Sequence, residues 1–360
     1  MTRHREFTLL PHSGKKGKQE METKAAAEVI LHVGLPKTGT TAIQRYMYHR
    51  REAYADLGIH WAETHPNGIH EINDWAHHVY SHKWGGWLDV SKFVITPDSA
   101  WAAFGDTVRA KAGRHILSSE RFADLLPLPI GMDMLRFIAE TIAPAQLKII
   151  GYVRRQDNLI ESHIKELIKG GNLKGTIDEY LENLPSFVFF DQSFLNAAEV
   201  LGKENVTVRL YERDLLVRQD IVLDFLEACT LPVLDNPKGE VMRANPSLNT
   251  LSSKVLSDPR IVKAFQNKRF RHKFISDMLN EERFSHCNRY ALLDDETQRQ
   301  IMSRFNEGNK RLAEMFFDDY TAKALERDGD YARPTLKNSE LVLTYDDLVE
   351  LLIVLRPPVP

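Results

Sequence analysis

Cysteine is almost missing from this chain of 360 residues: Cys229 and Cys287 are its two. They lie far apart and outside any metal-ligand spacing, which excludes a disulfide framework and a cysteine-type zinc site and leaves two reduced thiols as the expectation. An excess of either charge is missing too. Lysine plus arginine number 47 against 50 for aspartate plus glutamate, so no broad footprint for nucleic acid or an anionic membrane is present, and any anion site must be local. No apolar run reaches the roughly twenty residues of a membrane-spanning helix. The first stretch, MTRHREFTLLPHSGKKGKQEMETK, is charged and lacks the apolar centre of a secretory signal. A cytoplasmic protein is the expectation, with residues 1–27 as a disordered lead-in.

One further absence is local and informative. The stretch VILHVGLPKTGTTAIQ runs from an apolar strand, Val29 to Val33, through a turn rich in glycine and threonine into a helical segment from Ala42. Such a layout binds phosphate, because glycines admit the anion and the amides and positive end of the following helix face it. The strict phosphate-loop pattern requires lysine directly after its last glycine. Here Thr40 and Thr41 follow Gly39, and the loop's lysine, Lys37, stands two residues before it. The lysine must therefore reach the anion from inside the loop.

Further along, Gly58 to Trp61 reads as a second strand, His115 to Glu120 as a third, Leu147 to Val153 as a fourth and Asn205 to Tyr211 as a fifth, with helices over 41–54, 97–112, 131–143, 176–184, 191–201 and 221–229. This alternation predicts an α/β fold with a mainly parallel sheet covered on both faces. Ligand sites of such sheets lie at the carboxyl ends of strands. That rule singles out Ser118, Ser119 and Glu120 after the third strand and Arg154 after the fourth. Residues 60–87 are rich in histidine and tryptophan; no H-E-x-x-H spacing supports a zinc site there, and aromatic packing or a pocket wall is expected instead. Phe187 to Phe190 reads as core or pocket wall. From Leu248 to about Tyr320 and from Tyr345 to Leu355 the pattern is helical and charged.

Pro36, Lys37, Thr38, Gly39, Thr40 and Thr41 together with Arg154 and, eight residues later, Ser162 resemble the two donor-binding motifs of the PAPS-dependent sulfotransferases (PAPS being 3′-phosphoadenosine 5′-phosphosulfate). The run HVGLPKTGTT with VRRQDNLIES is similar to the bacterial carbohydrate-type members, which have a fold like that of the P-loop NTPases. The resemblance covers residues 28 to about 230. It implies a sulfotransferase α/β domain over 28–247 with a helical extension over 248–360, and transfer of a sulfuryl group from PAPS, without a metal, to a hydroxyl or amine of a carbohydrate or glycolipid.

By the same resemblance the loop holds the donor's 5′ end, Lys37 neutralises the leaving phosphate oxygen, and Arg154 with Ser162 grips the 3′-phosphate. The family's Arg-Lys-Gly loop is absent, and Arg243, Asn245 and Ser247 are the residues available for its role. Two candidates stand for the base, Glu120 and His70. A magnesium-dependent P-loop kinase or NTPase and a non-catalytic nucleotide-binding module are the alternatives; the kinase reading leaves Arg154 and Ser162 without a role.

Overall fold

The structure, a computed structural model, describes residues 27–62, 77–85, 95–235, 248–257 and 291–326. Its centre is a five-stranded sheet in the order β2-β3-β1-β4-β5, with every neighbouring pair parallel. The strands are β1 (Glu28–His32), β2 (Ile59–Trp61), β3 (Arg114–Ser118), β4 (Gln146–Val153) and β5 (Val206–Leu210). Parallel strands need crossovers, and helices supply them: α1 (Thr40–His49), α2 (Arg51–Ala55), α3 (His78–Ser81), α4 (Pro97–Ala110), α5 (Phe122–Leu125), α6 (Pro129–Ile142), α7 (Gln156–Gly170), α8 (Ile177–Glu182) and α9 (Phe190–Leu201), with α10 (Ile221–Ala228) following β5.

Side chains two apart share a face of a strand, and the core divides accordingly. Val29 and Leu31 of β1 pack with Leu147, Ile149 and Val153 of β4 and with Phe104, Ile138 and Phe194 from α4, α6 and α9 on one face. Ile30, Ile150 and Tyr152 meet Ile43, Met47, Val222 and Phe225 from α1 and α10 on the other. Gly151 is needed where α9 comes closest, because a Cβ there would lie 2.3 Å from Phe194 Cζ.

The ends of several helices are written in the sequence. Thr96 accepts from the Ser99 amide with Pro97 at the first helical turn of α4, Thr176 and Glu179 close a capping box on α8, and Asp220 accepts from Val222 and Leu223 at the start of α10. The helix expected over 41–54 is instead two helices divided at Arg50, φ −113°. The Arg50 guanidinium stacks 4.2 Å from the Tyr46 ring centroid and pairs with Asp235 through Nε at 2.5 Å.

Beyond the sheet, α11 (Thr250–Ser257), α12 (Asp295–Phe316) and α13 (Asp319–Glu326) follow. Polar ties bind this part to α7 and α9. Gln156 and Asn309 exchange two hydrogen bonds of 2.7 and 2.9 Å, Glu161 accepts from the Leu292 amide at 2.8 Å, and Arg311 pairs with Asp191 at 3.2 Å. The helix expected over 345–355 lies outside the described residues, as does the lead-in over 1–26. Among the described residues no helix is long and apolar enough to cross a membrane.

Candidate functional site

Connections leave β1 toward β2 and β3 but leave β4 toward β5, so the crevice between the carboxyl ends of β1 and β4 is the switch point of the sheet. A cleft of about 940 Å³ opens there. Pro36, Lys37, Gly39, Thr40, Thr41, Glu120, Arg154 and Ser162, eight of the residues singled out from the sequence, line it together.

The loop between β1 and α1 is built tightly. Gly34 takes φ +92°, and a Cβ on it would sit 3.0 Å from Glu120 Cα, so the loop lies directly against the end of the β3 segment. Gly39 caps α1 at φ 84°, with Ile221 Cγ1 3.0 Å from where its Cβ would be. Both constraints demand glycine. Lys37 is itself left-handed at φ 65°, a conformation that a non-glycine residue keeps only when its surroundings enforce it.

The hydroxyls of Thr38 and Thr40 both donate to the Leu35 carbonyl, at 2.7 and 3.0 Å. They tie the loop to itself, and Thr38 is buried. The Ala42 and Ile43 amides already donate to the Gly39 carbonyl, at 2.9 and 3.3 Å, which leaves the amides of Thr40 and Thr41 at the helix start beside the Thr40 and Thr41 side chains, both of which line the cleft.

Arg154 follows β4 and reaches back to the Lys37 carbonyl, Nη1 to O 3.4 Å, with its guanidinium 5.8 Å from the Tyr211 ring centroid. Tyr211 is brought there because its amide donates to the Val153 carbonyl at 2.7 Å, continuing the β4–β5 pairing past the last residue of β5. Ser162 enters from α7, half-buried.

Glu120 lies just beyond β3, whose last residue is Ser118 and not Glu120 as expected. The strand end is pinned: Ser118 Oγ bonds His32 Nδ1 at 2.8 Å, the Ser118 amide donates to His77 Nδ1 at 2.7 Å, and Ser119 Oγ meets His78 Nδ1 at 2.9 Å. Burial pushes the Glu120 carboxyl above the ordinary glutamate range, with Arg121 and Lys37 pulling it partly back.

His70, the other candidate base, and Arg243, Asn245 and Ser247 lie outside the described residues. The described aromatics of the 60–87 segment serve the core: Trp61 stacks on His77 at 4.5 Å, and Trp84 meets Trp101 at 5.9 Å. Of the phenylalanine patch, Phe187 lines the cleft, while Phe190 is buried in the core. Among the described residues no group of three or more histidine, cysteine, aspartate or glutamate side chains is arranged to hold a metal.

Sequence reasoning missed several cleft residues. His163 follows Ser162, its Nδ1 2.6 Å from the Tyr180 hydroxyl and its ring edge-on to Phe187 at 5.0 Å. Burial, reinforced by Lys37, lowers its pKa to about 4, so the imidazole is neutral at pH 7. Glu166 lies 3.1 Å from Lys37 Nζ. Tyr211, Arg213 and Gln219 line the cleft as well. Helical spacing beyond Ser162 points to Glu166 and the strand-end rule to Tyr211; a lone histidine carries no such signal.

No protein-family model matches the chain. A protein of Archaeoglobus fulgidus, described as uncharacterized, is 26% identical over 205 residues, which are 56% of this chain and 53% of that protein. The chain thus spans about half the length of this curated relative. Among solved structures, a sulfotransferase from Alicyclobacillus acidocaldarius aligns over 82% of this chain and 98% of its own, with a TM-score of 0.45 and 14% identity.

Proposed function

We propose that this chain is a sulfotransferase that moves a sulfuryl group from PAPS to a hydroxyl or amine of a carbohydrate or glycolipid, leaving adenosine 3′,5′-bisphosphate. One observation carries the reading: the PKTGTT loop and the Arg154 and Ser162 pair, more than a hundred residues apart in sequence, line one cleft. Its volume of about 940 Å³ suits a nucleotide-sized ligand.

In this reading Thr38, Gly39, Thr40 and Thr41 hold the 5′-phosphate through amides and hydroxyls at the start of α1. Arg154 offers a planar fork to the 3′-phosphate and Ser162 a hydroxyl bond beside it. Tyr211, Leu216 and Ile221, which line the same cleft, give a base an aromatic and apolar wall. Arg243, Asn245 and Ser247 are proposed to close over the nucleotide.

The acceptor oxygen attacks sulfur in line; its bond to sulfur forms as the bond from sulfur to the bridging oxygen breaks, and the electron pair stays on the phosphate. Lys37 neutralises that charge as it develops in the transition state; the bound donor does not yet carry it. The acceptor's proton passes to Glu120, favoured by its position against the loop and by a carboxyl already shifted toward neutral pH; His70 is the alternative base. Residues 28–247 carry the chemistry, 248–360 pack on them, and the setting is cytoplasmic. The test is to incubate the full chain with sulfur-labelled PAPS and a panel of glycosides, glycolipids, phenols and amines. Label on a sugar hydroxyl supports the reading; label on phenols alone, or none on any acceptor, counts against it.

A further inference from the structure

Lys37 shares the cleft with a carboxylate that the donor chemistry leaves unexplained. Its ammonium nitrogen lies 3.1 Å from Glu166 Oε2, across 129 residues of sequence. Glu166 stands on α7 four residues after Ser162, so the two side chains share one helical face, and both line the cleft. The pair is only partly covered, with 20% of the lysine side chain and 40% of the glutamate side chain exposed. His163 and Lys169 on the same helix feel both members. The left-handed backbone of Lys37 fixes the direction from which its side chain enters. The ammonium itself is a point charge with three rotatable donors, able to turn from one anion to another with no backbone movement.

We propose that Glu166 is the exchange partner of Lys37: its carboxylate competes with the donor's phosphosulfate for the ammonium and takes it back as the bisphosphate product leaves. This inference rests on the PAPS reading above. The ammonium must give up its 3.1 Å pairing with Glu166 to turn fully to phosphate, so the carboxylate weakens the hold of Lys37 on phosphate. After transfer that hold is at its strongest, because the leaving oxygen then carries the full charge. A carboxylate within reach replaces the lost phosphate contact and speeds release, a step that limits turnover in many enzymes.

The experiment is calorimetric titration of adenosine 3′,5′-bisphosphate into the full chain and its Glu166→Gln, Lys37→Met and doubly substituted variants at one ionic strength. Glu166→Gln is expected to bind the bisphosphate about 1.5- to fivefold more tightly, the span for a partly exposed ion pair. In the Lys37→Met background the same change should leave affinity unaltered. Glu166→Ala, with its fold checked by circular dichroism, should repeat the gain. Equal or weaker binding by Glu166→Gln overturns the exchange, as does an equal gain without Lys37, which would make Glu166 a general negative charge. Wild-type protein that does not bind the bisphosphate removes the PAPS reading and the exchange with it; bound bisphosphate with an unresponsive Glu166→Gln removes the exchange alone.

Discussion

At the residue scale the heaviest chemical demand falls on Lys37, whose charge matters most when the bridging oxygen becomes anionic. Lys37→Ala should therefore lower kcat by about a hundredfold or more with the circular dichroism spectrum unchanged; near-normal turnover would remove it from the mechanism. Glu120 makes a different forecast. Its carboxyl is held above the ordinary glutamate range by burial, and a base works only when deprotonated. Activity should fall as pH drops through that raised value, so the acid limb of the pH–rate profile lies above the usual glutamate position. Glu120→Gln should abolish the limb and cost on the order of a hundredfold in turnover with donor affinity kept, while His70→Asn stays mild. The reverse pattern would hand the role to His70. Glu120 was legible in sequence because a strand end points at the switch point. The neutral His163 was not, since its meaning comes from Tyr180 and Lys37, which only the fold brings near.

At the scale of elements the unit that matters is β1, its loop and α1. Gly39→Ala adds a Cβ to a left-handed residue in tight contact with Ile221, and should cost about 1–3 kcal/mol in urea denaturation together with a loss of bisphosphate affinity. Wild-type values in both would mean that the loop does not need this shape. The five strands could be read from short apolar runs between turns, because burial on both faces leaves that imprint. The division of the first helix at Arg50 could not, for its partner Asp235 is 185 residues away. Nor could the consecutive left-handed residues Arg218 and Gln219 at the cleft's edge, φ 51° and 59°, whose side chains carry no turn signal.

For the whole molecule, the strand order is what brings the loop after β1 and the arginine after β4 to one crevice. No single segment encodes it; it follows from how each crossover packs back on the sheet. The C-terminal segment joins that architecture through the buried Gln156 and Asn309 pair, which its sequence did not reveal. Asn309→Ala should leave Gln156 unsatisfied and lower stability by about 1–3 kcal/mol, read as a shifted urea midpoint with bisphosphate affinity retained; an unchanged midpoint would show that the tie contributes nothing. The central claim is that the cleft recognises a nucleotide by its 3′-phosphate as well as its 5′ end. Its most direct test is calorimetry of adenosine 3′,5′-bisphosphate, adenosine 5′-phosphate and ATP with magnesium against the wild type, Arg154→Ala and Ser162→Ala. The account predicts magnesium-independent binding that favours the bisphosphate, a preference lost in Arg154→Ala and reduced less in Ser162→Ala, because charge-assisted bonds are about twice as strong as neutral ones. Magnesium-dependent ATP binding with no affinity for the bisphosphate, or equal losses for both adenosine phosphates in Arg154→Ala, would contradict it.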